Sequence, residues 1–133
     1  MAAALIFPGQ GSHAVGMGHA LFVSVPEARR VFEEVDAALG EPLSRLIFEG
    51  PDERLRLTEN AQPALMATSM AALRALEAAR GRTVEELCRF VAGHSLGEYS
   101  ALAAAGSLSI SDAARLLRLR GQAMQAAVPV GEG

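Results

Sequence analysis

The sequence feature that most constrains the fold is a sharp turn predicted at residues 93–97, between an apolar run and a helical stretch. The apolar residues 90–92 are typical of a short buried strand, and the composition of residues 96–105 favours a helix. The turn itself reads G-x-S-x-G, a pattern that carries mechanical meaning between a strand and a helix because its glycines permit close packing. Ser95 would lie at the helix N-terminus, where free N–H groups favour an oxyanion. We therefore predict that Ser95 is a nucleophile; the alternative is a serine that only caps the helix.

A second loop with candidate ligand-binding groups follows the first predicted strand. Residues 3–7 (AALIF) are typical of a short buried strand, which Pro8 ends. The next residues include Gly9, Gln10 and Gly11, and the two glycines allow the backbone to approach another group closely. Gln10 offers both a side-chain amide and a backbone donor. Because open α/β sheets bind ligands where strands end, this loop is a candidate site; an ordinary strand-to-helix turn is the alternative.

Helical periodicity accounts for most of the remaining chain. Ser24 and Glu27 have capping-box spacing and begin a predicted helix that ends at Gly40. Asn60 is the predicted cap of a long helix over residues 61–80, whose methionines we interpret as core filling. The order strand, helices, strand, helix predicts one α/β domain with parallel strand pairing over the 133 residues.

Arg120 interrupts the apolar stripe of the last predicted helix, which runs over residues 112–127. It lies four residues after Leu116 and four before Met124, so helical geometry places a guanidinium on the side predicted to face inward. A charge that faces a core is costly unless it is paired, so Arg120 needs a carboxylate partner. Either an Asp or Glu of the chain supplies that carboxylate, or a substrate does; residue patterns alone favour the internal salt bridge.

Composition excludes several classes of function. The net charge of −3 and the absence of a dense basic cluster argue against nucleic-acid binding. A single cysteine, Cys88, excludes an internal disulfide framework and suits a reducing cytoplasm. No signal peptide, membrane-spanning run, metal-ligand cluster or phosphate-binding glycine loop is evident in the sequence. These features predict a soluble protein without a membrane partner.

Three segments, in this order and spacing, resemble the N-terminal part of malonyl-CoA:acyl carrier protein transacylases: FPGQGS, GHSLGEYSAL and LRLRGQAMQ. The resemblance covers essentially all 133 residues. It implies a partial α/β-hydrolase-like layered core, in which short parallel strands are flanked by helices. It also implies a cytoplasmic acyltransferase of fatty-acid or polyketide synthesis that needs no cofactor. Its partners would be malonyl-CoA as substrate and acyl carrier protein as acceptor.

The resemblance assigns a role to each candidate residue. Ser95 would carry the malonyl group, and the backbone N–H groups of Gln10 and Leu96 would form the oxyanion hole. Arg120 would bind the free malonyl carboxylate. The remaining positions implied to contact substrate are Met124 in the acyl pocket, His94 beside the turn and Gly9 in the first loop. We expect the His94 ring to be hydrogen-bonded and structural.

The chain also departs from the family pattern. The general base in the family is a histidine well after the serine, and no histidine follows His94 here. The small ferredoxin-like subdomain that the family inserts beyond the Arg120 helix is absent from the 133 residues, and His13 stands where glutamine is usual. A base contributes about 10²- to 10⁴-fold in rate, so the chain alone is expected to be a feeble catalyst. A missing C-terminal half is thus a further expected partner.

Two other functions compete with this interpretation. A serine hydrolase would use the same turn, but it needs an acid and a histidine after the serine. A non-catalytic module that binds acyl carrier protein or coenzyme A would keep Arg120 without a base. Ester turnover without a thiol acceptor distinguishes the hydrolase, and indifference of binding to Ser95→Ala distinguishes the module.

Overall fold

The computed structural model describes residues 3–132; Met1, Ala2 and Gly133, which the one-domain prediction includes, lie outside the described residues. Two strands and eight helices occur within this range, as the α/β prediction requires. In chain order they are β1 (Ala4–Phe7), α1 (His19–Ser24), α2 (Pro26–Leu39), α3 (Leu43–Glu49), α4 (Asp52–Leu55), α5 (Thr58–Arg80), α6 (Val84–Leu87), β2 (Phe90–Gly93), α7 (Leu96–Ala104) and α8 (Ile110–Ala127).

The two strands form a short parallel sheet, which confirms the predicted pairing. Ala4 lies opposite Phe90 and Phe7 opposite Gly93, so both strands end at the same edge, and Ser95 follows that edge directly. The prediction that these strands are buried is wrong for one face. Ile6 is 80% exposed and Phe90 65% exposed, because alternate side chains of a strand point to opposite faces and the described helices cover only one of them.

The core lies between α2, α5 and α8, with α5 at its centre and in contact with the other helices. Met66 and Met70 of α5 are fully buried, which confirms that these methionines fill the core. Phe7 connects this core to the inner face of the sheet. Since the strands pack on α7 and α7 packs on α5, the central helix sets the position of the turn that carries Ser95.

Two predicted helix starts are wrong. Ser24 is the last residue of α1, and its hydroxyl donates to the Ala20 carbonyl at 2.5 Å instead of capping α2, which begins after Val25. Asn60 lies inside α5, and its side chain donates to the Arg54 carbonyl at 2.7 Å. In both places the preceding helix runs almost directly into the next one, so the predicted cap is already in helical backbone.

The predicted inward stripe of α8, which also includes Ala113 and Leu117, is confirmed at those two buried residues. It is wrong at Leu116 and Met124, which are 41% and 40% exposed, and Gly121 is buried instead. Small residues at 113 and 121 let α8 approach α5 closely, and this selects a face that hydrophobicity alone does not identify.

Candidate active site

The turn at Ser95 has the strained geometry that the sequence predicts. Ser95 has φ 58° and ψ −121°, and it is the single non-glycine residue with positive φ among residues 3–132. A Cβ at Gly93 would overlap the backbone of Gly97, and a Cβ at Gly97 would overlap the Phe7 carbonyl. Both glycines are therefore required by backbone contacts. Such strain persists only where the surroundings hold it, and it is common at functional sites.

Arg120 of α8 points at Ser95. Its Nη2 donates to the Ser95 Oγ at 3.0 Å, and its Nη1 donates to the Gln62 Oε1 at 2.7 Å. The guanidinium also lies 5.6 Å from the centre of the Tyr99 ring. No Asp or Glu among residues 3–132 forms an ion pair with Arg120, so the internal salt bridge that residue patterns favoured is wrong for this part of the chain. A half-buried positive charge thus faces a serine hydroxyl and is held there by neutral oxygen atoms.

Gln62 is the site residue that sequence reasoning missed. It is fully buried in α5, where its Oε1 accepts from Arg120 and its Nε2 donates to the Met124 Sδ at 3.2 Å. A buried amide needs partners, and these two contacts use both ends of the side chain. One feature of the sequence could have indicated Gln62: it is the single amide in the otherwise apolar run 61–67, next to Pro63.

The first loop lies against the Ser95 turn. A Cβ at Gly9 would be 3.1 Å from the His94 carbonyl, and the Gln10 side chain donates to the Thr58 Oγ1 at 3.0 Å. Neither the Gln10 N–H nor the Leu96 N–H donates to a backbone carbonyl among residues 3–132. Leu96 is the first residue of α7, where helical geometry leaves the N–H without a partner. Two backbone donors are thus available near Ser95.

None of the three histidines contacts Ser95 by a hydrogen bond. His94 is exposed and its ring forms no hydrogen bond within the described range, so the expectation of a hydrogen-bonded structural histidine is wrong; its backbone carbonyl accepts from Gly97 at 3.0 Å. The His13 Nε2 lies 3.8 Å from Asp52, and the His19 ring packs against an aromatic side chain. The residues described here therefore bring a serine, an arginine and backbone donors together, without a histidine base.

Residues 3–132 contain no group of three or more His, Cys, Asp or Glu side chains placed to hold a metal ion. Among the same residues, no helix combines the length and the apolar character needed to cross a membrane.

A serine on a strained strand-to-helix turn, beside an arginine and free backbone donors, defines a domain of the serine acyl-transfer class. The chain belongs to the acyl transferase family: the family model described as "Acyl transferase domain" matches residues 4–133.

Two proteins that are similar to this chain carry more specific descriptions than the family. The chain is 55% identical over 130 residues to the malonyl CoA-acyl carrier protein transacylase of Bacillus subtilis strain 168, covering 98% of this chain and 39% of that protein. The crystal structure of the acyl-carrier-protein-S-malonyltransferase from Bartonella henselae is 63% identical, with a TM-score of 0.93 over 98% of this chain and 41% of that one.

A second similar structure is a type II PKS acyl-carrier protein in complex with its malonyl-transacylase, at 43% identity and a TM-score of 0.87. It covers 97% of this chain and 40% of that one. The chain thus spans about 40% of the length of the relatives it matches.

Proposed function

We propose that this chain is the serine-bearing part of an enzyme that transfers a malonyl group from malonyl-CoA to the phosphopantetheine thiol of acyl carrier protein. The observation that carries the proposal is the 3.0 Å contact between Arg120 Nη2 and Ser95 Oγ. An acyl-transfer serine needs no neighbouring cation for a neutral acyl group. A cation within hydrogen-bonding distance instead suits a substrate that carries a second, anionic group.

In the proposed reaction the Ser95 Oγ attacks the thioester carbonyl carbon of malonyl-CoA. A carbon–oxygen bond forms, the carbon–sulfur bond breaks, and the coenzyme A thiol leaves with the proton that Ser95 loses. The thiol of acyl carrier protein then reverses these steps and regenerates the serine. The Gln10 and Leu96 N–H groups stabilise the negative oxygen of each tetrahedral intermediate.

Arg120 holds the other end of the substrate. Its Nη2 exchanges the Ser95 hydroxyl for the malonyl carboxylate, while Nη1 stays on the Gln62 oxygen, so the guanidinium does not have to reorient on binding. Met124, one turn along α8, borders the acyl group, and Gly9 and His94 lie close enough to the turn to contact substrate. No cofactor takes part in these steps.

The general base comes from a segment outside the 133 residues. None of the three histidines bonds to Ser95, and the relatives are about two and a half times as long as this chain. The exposed sheet face that bears Ile6 and Phe90 supports this proposal, because an apolar face of this kind is normally covered. In the proposed whole protein, residues 1–133 form the N-terminal part of an α/β-hydrolase-like layered domain. The remainder supplies the base and the small ferredoxin-like subdomain, and the enzyme works in the cytoplasm.

The test measures Ser95 acylation by intact mass with malonyl-CoA or acetyl-CoA as the donor. It uses this chain alone and this chain fused to the segment that follows the matched region in the 63%-identical relative. Ser95→Ala is expected to abolish labelling. Arg120→Gln is expected to lower malonyl labelling about 100-fold and to leave acetyl labelling unchanged, since a charge-assisted contact contributes about 3 kcal/mol.

The matched control is Arg115→Gln, an exposed arginine on the same helix that pairs with Asp112. This substitution should leave Ser95 labelling by malonyl-CoA and by acetyl-CoA unchanged. Equal labelling of the fusion protein by malonyl and acetyl donors would contradict a carboxylate-binding arginine. Rapid ester hydrolysis without any thiol acceptor would favour the serine hydrolase instead.

A further inference from the structure

Three residues on one face of α8 contact the first turn of α5. Arg118, Gly121 and Gln125 are three and four residues apart, so they share a face of the helix. Arg118 Nη1 donates to the Asn60 Oδ1 at 2.7 Å, and the Gln125 Oε1 accepts from the Thr58 N–H at 3.2 Å. These contacts connect the helix that carries Arg120 to the helix that carries Gln62.

The Arg118 contact depends on a proline in α5. Helical geometry would pair the Glu59 carbonyl with the N–H of residue 63, but that residue is Pro63, which has no N–H. Arg118 Nη1 donates to the Glu59 carbonyl in its place. A carbonyl taken partly out of water without a donor is destabilising, so the arginine on α8 supplies the donor that Pro63 cannot.

Arg118 is held firmly enough to act as an attachment point. Its side chain is 14% exposed and forms an ion pair with Glu41. Burial lowers the pKa of the Arg118 guanidinium below its usual value, as expected for a cation taken largely out of water.

Gly121, one turn further along, brings the two backbones together. A Cβ at this position would be 2.6 Å from the Glu59 Cα and 2.8 Å from the Thr58 carbonyl oxygen. The attachment at Arg118 and the close approach at Gly121 together leave α8 little freedom to rotate about its own axis. Arg120 precedes Gly121 by about 100° of helical rotation, so this orientation determines where its guanidinium points.

We propose that Arg118 is a positioning residue for Arg120: by donating to the Glu59 carbonyl that Pro63 leaves without a partner, it fixes the rotation of α8 that directs Arg120 at Ser95. The proposal rests on the proposed role of Arg120 in binding substrate. Arg118 itself does not touch the reacting groups.

The first experiment is a double-mutant cycle on thermal unfolding of the full chain, with Arg118→Met and Pro63→Ala singly and combined. Pro63→Ala restores the N–H that pairs with the Glu59 carbonyl. Arg118→Met is therefore expected to lower the unfolding midpoint by about 5 °C in the wild-type background and by less than half of that with Pro63→Ala. Arg115→Met is the control for removing an arginine from α8, and it should change the unfolding midpoint little in either background.

The second experiment separates positioning from stability. The guanidinium N–H signals of Arg120, assigned by their loss in Arg120→Lys, are recorded by ¹⁵N nuclear magnetic resonance. We expect resolved Nη signals in the wild type, because Ser95 and Gln62 restrict rotation of these groups. The signals should stay resolved in Pro63→Ala, because Arg118 keeps its contacts with Asn60 and Glu41 there. The signals should collapse in Arg118→Met and remain collapsed in the double variant, although Arg118→Met lowers the unfolding midpoint less in that background.

Equal midpoint losses in both backgrounds would overturn the role of the Glu59 carbonyl, and resolved Arg120 signals in Arg118→Met would overturn the positioning role. Arg118→Lys, which keeps the charge but offers a single nitrogen, provides the same comparisons if Arg118→Met does not fold. Neither readout requires acyl transfer. Failure of the proposed function would therefore appear as absent Ser95 labelling with these results intact.

Discussion

Gly121→Ala tests the contact between α5 and α8 most directly. The added Cβ would lie 2.6 Å from the Glu59 Cα, and ordinary van der Waals contact begins at 3.4 Å, so the two helices must separate by about 0.8 Å. Overpacking against backbone that cannot rotate away costs about 3 kcal/mol. Alanine is a better helix former than glycine by about 1 kcal/mol. We therefore expect a net loss of about 2 kcal/mol in the free energy of unfolding.

Urea denaturation followed by circular dichroism measures this loss, and Gln122→Ala, an exposed position next along α8, is the matched control. The control should change the free energy of unfolding by less than about 0.5 kcal/mol. A Gly121→Ala protein more stable than the wild type would show that helix propensity outweighs the contact. That result would refute the close approach of the two helices and, with it, the fixed rotation of α8.

Three further substitutions examine other parts of the site. Gly97→Ala places a Cβ against the Phe7 carbonyl and should destabilise the fold by about 2 kcal/mol in urea; unchanged stability would contradict the close turn. Gln62→Met removes the oxygen that accepts from Arg120 and should lower the malonyl preference of the fusion protein about tenfold, whereas equal preference would show that Arg120 needs no such partner. Phe90→Ser should change the stability of the isolated chain by less than about 0.5 kcal/mol but weaken binding of the remaining segment supplied in trans; unchanged binding would exclude this face as the contact.

Local sequence signals predicted those parts of the structure that depend on neighbouring residues. The Ser95 turn is an example, because the two glycines that permit it lie two positions away on either side. The parallel pairing of the strands and the long α5 helix were also predictable, since both follow from hydrophobic period and order along the chain. The methionines of α5 occupy the core as their helical spacing indicates.

Contacts between distant segments were not predictable in this way. The partner of Arg120 is a glutamine 58 residues earlier, and a single buried amide has no periodic signature. The exposed face of the sheet was missed for a related reason: a run of apolar residues indicates a buried strand but does not say whether one face or two are covered within the chain. The small residues that bring α8 against α5 likewise contribute little to a hydrophobic pattern.

The arrangement at α5 shows why a recognisable motif is not sufficient for the site. The glycines beside Ser95 permit its turn and make the motif recognisable, but the direction of Arg120 depends on how α8 meets α5. Pro63 weakens α5 as an isolated helix and at the same time leaves the Glu59 carbonyl without its usual helical donor, a place that Arg118 of α8 takes. A proline that costs local stability thus makes the start of α5 depend on correct docking of α8. Because an α8 rotated away from this orientation would leave that carbonyl unpaired, the packing that stabilises the fold is also the packing that brings the guanidinium to the serine.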